Sequence, residues 1–388
     1  MSIEASLVWQ SEHAHHRDAV LLADSALLAD GRWARVAEQM RGLSDAKVEL
    51  DPAPWLQPAE QAIVEIPASQ FRLHTQPVAG RFYPRMAFTG LAQNPRDMRP
   101  TRLVDVADDL LKVDPNHPLA GVNASLVFQN SALESTRGVR MVDLFDGPGM
   151  QVPVANPSQT YFEPAGLAPQ DTEVDAVFYA PPRMTHHLDA VCRAEITALY
   201  QRFLKPGQRV LDLMSSWVSH LPEELEGLSV AGLGMNSTEL YANSRLIDCV
   251  VQDLNTQPNL PWGAAEFDVV VCTASIEYLR HPQAVMAEVK RVLKPRGVCV
   301  ITFSDRWFPT KAIQVWGQLH SFERLGLVLT LMRDAGLVDL HSETRRGLKR
   351  PDDDKYIDQR LCSDPLFAAW GFQPAKRGRL ARSLSDIS

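Results

Sequence analysis

The segment VLDLMSSWVSH, residues 210–220, begins with a short apolar run that contains an aspartate, and three serines follow. A short apolar run is typical of a buried strand, and an aspartate at its end can present a carboxylate to a ligand. A turn that seats a phosphate on its backbone needs glycines, and this segment has none. The pattern therefore indicates a ligand site in which Asp212 and the hydroxyls of Ser215, Ser216 and Ser219 make the polar contacts.

Four further apolar runs place polar residues at their ends. The runs are LSVAGLG before Asn236, LIDCVVQDL ending at Asp253 and Leu254, FDVVVCTAS before Ile276, and GVCVITFS before Asp305. Helical patterns such as PQAVMAEVKRVLK separate them, which predicts an α/β fold with a doubly wound, mainly parallel Rossmann-like sheet. Ligands of such sheets bind at the carboxyl ends of the strands, so we expect these residues to share one site.

The order of VLDL, LPW, FDVVVC, EYL and EVKRVLKPRGVCVITF resembles class I S-adenosylmethionine-dependent methyltransferases of the type 11 kind, over residues 189–345. The resemblance implies S-adenosyl-L-methionine as cofactor, with Asp212 near its amino acid part. It also implies that Asp253 accepts from the adenine amino group beside Leu254, and that Ser275 and Ile276 line the methionine part.

Two departures from that family concern the same site. The family usually has VLDLGCGTG, where this chain has Met214, Ser216 and Val218 at the glycine positions. An acid for the ribose hydroxyls is common where this chain has Gly234, with Asn236 two residues later. S-adenosylmethionine carries no phosphate, so a wider, glycine-free turn can be tolerated. The predicted cofactor-binding residues are Asp212, Met214, Ser215, Ser216, Asn236, Asp253, Leu254, Ser275 and Ile276. Helix capping or turn formation is the alternative role for Asp212, Asn236 and Asp253.

Candidate acceptor-side residues lie after strands four and five and before strand one. The predicted catalytic residues are Glu277, Tyr278 and His320. The predicted substrate-binding residues are Tyr179, Arg183, His186, His187, Trp307 and Trp316. Trp316 and His320 are four apart and are expected to share a helix face. Ordinary packing is the alternative for each histidine and tryptophan.

The acceptor is predicted to be a small molecule, with a weak preference for a thiol. No base is unambiguous in the pattern, whereas a thiol supplies some thiolate near neutral pH. Glu277 or His320 would assist its deprotonation. O- or N-methylation is an alternative, as is a non-catalytic binding or chaperone-like protein with a degenerate methyltransferase domain. No metal is required for methyl transfer.

Composition favours a cytoplasmic protein without nucleic-acid or membrane partners. The chain has 388 residues, a net charge of −8 and five scattered cysteines. Such cysteines fit reduced thiols better than a disulfide framework or zinc site, and the acidic balance disfavours phosphate-backbone binding. The N-terminus lacks a secretory pattern, and no apolar stretch approaches the roughly 20 residues that span a bilayer.

The predicted domains are a β-rich N-terminal domain over residues 1–137, a linker and cap segment over 138–188, and the methyltransferase domain over 189–388. Within the first, VEIPASQF, GRFYPR and KVDPNHPLAG make residues 63–130 resemble SlyD-like FKBP-type prolyl isomerases. The earlier half of that fold is not recognisable, so isomerase activity is not expected. Docking, a homo-oligomer contact or covering of the methyltransferase site is expected instead.

Residues 1–60 carry two further patterns. A helix is predicted around Leu21–Met40, and His13, His15 and His16 form a group that could bind a metal. An exposed, mobile terminal tract is the preferred interpretation of that histidine group.

Overall fold

The computed structural model describes residues 2–41, 47–56, 63–73, 75–92, 94–147 and 161–375. The strands are β1 (Ser2–Gln10), β2 (Ala14–Ala23), β3 (Lys47–Leu50), β4 (Val64–Pro67), β5 (Phe82–Pro84), β6 (Pro100–Ala107), β7 (Leu110–Asp114), β8 (Ala124–Ser131), β9 (Arg209–Leu213), β10 (Ser229–Gly234), β11 (Leu246–Val251), β12 (Phe267–Thr273), β13 (Leu293–Phe303), β14 (Val338–Arg346) and β15 (Leu366–Phe372). The α-helices are α1 (Asp24–Ala29), α2 (Ala34–Met40), α3 (Ala53–Leu56), α4 (Met141–Phe145), α5 (Pro164–Leu167), α6 (Asp175–Phe178), α7 (Ala190–Gln201), α8 (Ser237–Ala242), α9 (Pro282–Val292), α10 (Gln314–Gln318) and α11 (Glu323–Ala335).

An 11-stranded sheet organises most of the described chain, in the order β11-β10-β9-β12-β13-β15-β14-β2-β1-β8-β3. Strands β9 to β13 pair in parallel, and β15 runs antiparallel between β13 and β14. Strand order reverses between β9 and β12, which is where such sheets bind ligands. The structure confirms the predicted α/β sheet and its five parallel strands.

Helices cover both faces of the parallel strands. On one face, α9 and α11 contribute buried side chains such as Val285, Val289 and Val328 to the largest apolar core. On the other face, α7 packs Ile196 and Leu199 against a second core. This double covering explains why the strand sequences read as continuous apolar runs. Within the described ranges, no helix is long and apolar enough to cross a bilayer.

The N-terminal strands continue this sheet. Strand β2 pairs in parallel with β14, from Ala14 opposite Leu340 to Val20 opposite Arg346. The histidine-rich tract is therefore neither exposed throughout nor mobile, because His15 and His16 lie within β2. His16 is buried, with Nδ1 2.7 Å from the hydroxyl of Ser342.

The predicted helix around Leu21–Met40 is also revised. Leu21 and Leu22 are buried at the end of β2, and two short helices, α1 and α2, follow it.

A separate four-stranded antiparallel sheet, in the order β4-β7-β6-β5, is formed by part of the 63–130 segment, whose last strand, β8, belongs to the 11-stranded sheet. It packs against the start of α11, where the rings of Phe82 and Phe322 lie 5.0 Å apart. The Glu323 carboxylate accepts a hydrogen bond of 3.0 Å from the backbone N–H of Phe82. Among the described residues, nothing between 63 and 131 lines the cleft described below. The described part of this segment therefore does not cover that cleft.

Glu323 is expected to make stability depend on pH. Burial raises its pKa from 4.5 to about 8, and the Phe82 N–H and the charges of Arg81 and Arg102 oppose that rise. The native protein thus holds one more proton than the unfolded chain between these values, so the free energy of unfolding falls as pH rises through this window.

Glu323→Gln is expected to remove most of this decline, because glutamine remains neutral and still accepts from Phe82. Thermal unfolding between pH 5 and 9 measures the difference. Identical pH profiles for the wild type and the variant would contradict the assignment.

Candidate active site

A cleft of about 290 Å³ lies at the carboxyl ends of β9 to β12, beside the segment that follows β13. Its remaining wall is the segment from Asp175 to Leu188, which precedes α7. The sequence-predicted residues that line it are Tyr179, Arg183, His186, His187, Asp212, Met214, Ser215, Ser216, Asn236, Asp253, Leu254, Ser275, Tyr278 and Trp307.

Asp212 ends the central strand β9 with a carboxyl group that is almost fully buried. Burial raises its pKa to about 6, and hydrogen bonds from Ser215 and Ser219 partly oppose the rise. The Ser215 hydroxyl donates to Oδ2 at 2.6 Å. A carboxylate that burial makes costly to ionise gains most from a bound cation.

The loop after β9 keeps a left-handed backbone without glycine. Met214 has φ 57°, and His220 and Ala274, which also line the cleft, have φ 54° and 47°. This conformation costs an ordinary residue roughly 1–2 kcal/mol, and such strain tends to persist at functional sites. The glycine-free loop therefore retains positive φ at Met214, where the related family has glycine.

Gly234 explains why no acid stands at the end of β10. The loop after β9 crosses it so closely that a Cβ would overlap the carbonyl oxygen of Ser215. The Ser215 N–H also donates to Leu233 O at 2.6 Å. Only glycine fits this crossing, so the ribose-binding acid of the related family has no room here.

Glu239 supplies a carboxylate to this part of the cleft, and the sequence reasoning missed it. One oxygen accepts from the Ser216 hydroxyl at 2.6 Å and the other from the Arg183 N–H at 2.7 Å. The available signal was an acid three residues after a helix-capping asparagine, which places it in the first turn of α8.

Asn236 caps α8. Its side-chain oxygen accepts from the Glu239 N–H at 3.1 Å, and its amide group donates to the carbonyls of Tyr179 and Ala180, both at 2.9 Å. The residue lines the cleft, but its side chain ties the wall segment to α8. The side-chain contacts of Asn236 are therefore those of a helix cap, which was the alternative to cofactor binding.

Asp253 follows β11, forms a turn and lines the cleft. Its oxygens accept from the Asn255 N–H at 2.8 Å and the Thr256 hydroxyl at 2.6 Å, which forms a turn. The same carboxylate lines the cleft beside the buried Leu254. Each carboxylate oxygen can accept a second hydrogen bond, so the turn leaves capacity for a ligand.

Buried ionic contacts fix the wall segment against the sheet. Asp175 accepts from the side-chain amide of Asn255 at 3.0 Å and lies 3.3 Å from Arg280 and 3.4 Å from Lys311. Lys311 also donates to Glu173 O at 2.7 Å. These contacts hold the wall segment, with Tyr179 and Arg183, along the cleft.

The acceptor-side candidates at the cleft are largely aromatic. Tyr278 OH accepts from the Phe308 N–H at 2.9 Å, and burial raises the pKa of Tyr278 well above its ordinary value. The guanidinium of Arg324 lies 4.3 Å from the ring centre of Trp307. Tyr278 is therefore a neutral hydroxyl at physiological pH.

In the part of the chain that the structure describes, four of the predicted residues do not line the cleft. They are Ile276, Glu277, Trp316 and His320. The prediction that Trp316 and His320 share a helix face was wrong, because α10 ends at Gln318. Trp316 packs on Phe303 at 4.9 Å, and His320 lies 3.5 Å from Met98 O. Buried Ile276 belongs to the largest apolar core.

Glu277 is buried, and one of its carboxyl oxygens has no partner in the described part of the chain. Burial raises its pKa to about 7.

Several basic residues at the cleft were absent from the predicted set. Arg193 on α7, His220 in the loop after β9 and Arg306 after β13 all line it. Arg193 and His220 lie outside the motifs that carry the family resemblance, so no motif marked them. Only the tertiary fold brings them together.

Comparisons with known proteins relate part of this chain to methyltransferases. Residues 220–301 match the family described as "Methyltransferase domain". The ubiquinone/menaquinone biosynthesis C-methyltransferase UbiE of Laribacter hongkongensis is 27% identical over 171 residues, which are 41% of this chain and 67% of that protein.

Among solved structures, an S-adenosylmethionine-dependent methyltransferase of Thermotoga maritima is 16% identical, with TM-score 0.35, over 47% of this chain and 92% of its own. Another from Aquifex aeolicus is 17% identical, with TM-score 0.32, over 55% of this chain and 99% of its own. From the family match and the curated relative, the C-terminal part of this chain is an S-adenosylmethionine-dependent methyltransferase domain.

Proposed function

We propose that the cleft binds S-adenosylmethionine and moves its methyl group to a small-molecule acceptor. The observation that carries this proposal is the buried carboxyl of Asp212 at the reversal of strand order, in one cleft with Asp253. The cofactor joins an amino acid end, which carries an ammonium and a carboxylate group, to an adenosine end. Asp212 suits the ammonium group and Asp253 suits the adenine amino group.

Three carboxylates would hold the cofactor. Asp212 accepts from its ammonium group, and Asp253 accepts from the adenine amino group while Leu254 packs on the ring. Glu239 accepts from the ribose hydroxyls, in place of the acid that Gly234 excludes. When bound, the cofactor supplies a methyl group already activated by its sulfonium.

The chain's own contribution is alignment and exclusion of water. The wall segment held by Lys311 and the aromatic side chains of Tyr179, Tyr278 and Trp307 would surround a small acceptor. Tyr278 can donate a hydrogen bond but does not act as a base near neutral pH, because its pKa is raised.

We propose a soft nucleophile such as a thiol as the methylated group. Glu277 and His320, the bases named from sequence, do not line the cleft in the described part of the chain, so an acceptor that needs little deprotonation fits best. The name of the Laribacter relative states a C-methyltransferase activity, which makes a carbon atom the second candidate for the methylated position.

An acceptor screen with isotope-labelled S-adenosylmethionine tests this proposal. Thiols, phenols, amines, carboxylates and hydroquinones are incubated with the protein, and the products are identified by mass spectrometry. Labelled thioethers are the expected products, formed faster as pH rises and thiolate accumulates. Methylation of phenols, amines or ring carbons without thiols would overturn the thiol preference alone. Turnover of any small acceptor would reject a purely non-catalytic, chaperone-like role.

A further inference from the structure

We propose that the acceptor carries an anionic group, a carboxylate or a phosphate, which Arg183, His187 and Arg306 bind. This inference rests on the proposed function and deepens it by naming the substrate class. It concerns how the acceptor is recognised, and it is independent of which atom is methylated.

The cleft holds two basic groups. One consists of His186, Arg193 and His220, and the other of Arg183, His187 and Arg306. The pKa of His220 is lowered to about 4, mainly by burial and to a smaller extent by the charges of Arg193 and His186. Burial and the charges of Arg183 and Arg306 similarly lower the pKa of His187, while Glu239 opposes the shift.

The arginines of these groups keep free hydrogen-bond donors. Within the described residues, neither Arg183 nor Arg193 forms an ion pair with a carboxylate, and the buried Nη1 of Arg183 and Nε of Arg193 have no hydrogen-bond partner. Leaving buried donors of a cation without partners costs free energy, and a bound anion would offset this cost by accepting hydrogen bonds from them.

Within the described part of the chain, Arg306 forms one ion pair, with Asp364 at 3.8 Å. Asp364 is itself engaged by Arg350, which donates to it at 2.5 Å. The guanidinium of Arg306 also lies 4.6 Å from the ring centre of Tyr356. Arg306 therefore retains donors that can turn towards the cleft.

The cofactor cannot satisfy both basic groups, because S-adenosylmethionine carries a single carboxylate. His220 belongs to the loop after β9, the ring of His186 lies 4.6 Å from that of Trp217 in the same loop, and the charge of Arg193 acts on His220. Asp212, just before this loop, is proposed to hold the amino acid end of the cofactor. The first basic group is therefore the natural partner of the cofactor's carboxylate. The group of Arg183, His187 and Arg306 is then left for an anion that comes from the acceptor.

Aromatic rings flank this second group. The guanidinium of Arg183 lies 4.4 Å from the ring centre of Phe178 and 5.8 Å from that of Phe308. The ring of His187 lies 5.3 Å from that of Phe308. Such a site fits a ligand with a flat apolar body and one anionic end.

Calorimetric titration of the full chain, saturated with S-adenosylhomocysteine, tests the inference with benzoate, phenyl phosphate and neutral benzamide. At least one anion is expected to bind about tenfold more tightly than benzamide, since a charge-assisted contact is gained. The two anions separate carboxylate from phosphate recognition. Equal binding of benzamide, or no anion binding at about 10 mM, would overturn the inference.

Arg306→Gln is expected to weaken anion binding about tenfold and to leave the affinity for S-adenosylhomocysteine unchanged. Arg360→Gln is the matched control, because Arg360 pairs with Asp305 at 3.2 Å and does not line the cleft in the described chain. An Arg306→Gln protein that binds the anions like the control would contradict the assignment. Failure of the wild type to bind S-adenosylhomocysteine at all would refute the proposed function instead.

Discussion

Gly234→Asp is expected to weaken cofactor binding about 100-fold, although it restores the acid that is common in the related family. A Cβ at this position overlaps the carbonyl of Ser215, so the loop that carries Met214 and Ser215 must move away from β10. Backbone cannot yield as a flexible side chain can, so we expect a loss of about 3 kcal/mol in stability and about 100-fold in affinity.

Two further variants separate sterics from charge and from general effects of glycine replacement. Gly234→Ala should show most of the same loss, because the first added carbon makes the overlap. Gly317→Ala is the matched control, since a Cβ there meets nothing within 4 Å. Thermal unfolding and S-adenosylhomocysteine titration measure both effects. Wild-type binding by Gly234→Ala would contradict the steric argument that only glycine fits at position 234. It would also remove the reason for assigning the ribose contact to Glu239.

Asp212→Asn is expected to weaken S-adenosylhomocysteine binding by about 10- to 100-fold, because the ammonium group of the ligand loses a charge-assisted partner. The size of this loss should depend on pH. Burial raises the pKa of Asp212 to about 6, and a bound ammonium favours the carboxylate form. Wild-type affinity should therefore fall as pH drops below about 6.

The comparison with Asp212→Asn isolates this titration from that of the cleft histidines, which both proteins share. The difference in affinity between the two proteins should be largest above pH 7 and should shrink towards pH 5. A difference that stays constant from pH 5 to 8 would contradict the assigned protonation of Asp212.

The parallel strands could be predicted from sequence because burial on both faces makes each a continuous apolar run. Asp212 and Asp253 could be placed near one site, because the carboxyl ends of parallel strands meet at one edge of the sheet. The pairing of β2 with β14 could not be foreseen, because it joins residues 326 positions apart, such as Ala14 and Leu340.

The parts of the site that escaped prediction depend on tertiary contacts. Gly234 looked like a lost functional acid until the crossing by the Ser215 backbone was visible. Glu239, which we propose in its place, reaches the cleft from a helix start whose direction the sequence does not specify. Trp316 and His320 were misplaced because a four-residue spacing implies a shared face only while the helix continues, and α10 stops between them.

The central claim is that this cleft binds the methyl donor, and calorimetric titration of the wild-type chain with S-adenosylhomocysteine at pH 7.5 tests it most directly. We expect one site per chain with a Kd below about 100 µM, and a loss of roughly 1–3 kcal/mol in Asp253→Ala, where the adenine amino group loses its acceptor. A folded wild-type protein that shows no binding at about 1 mM would contradict the account.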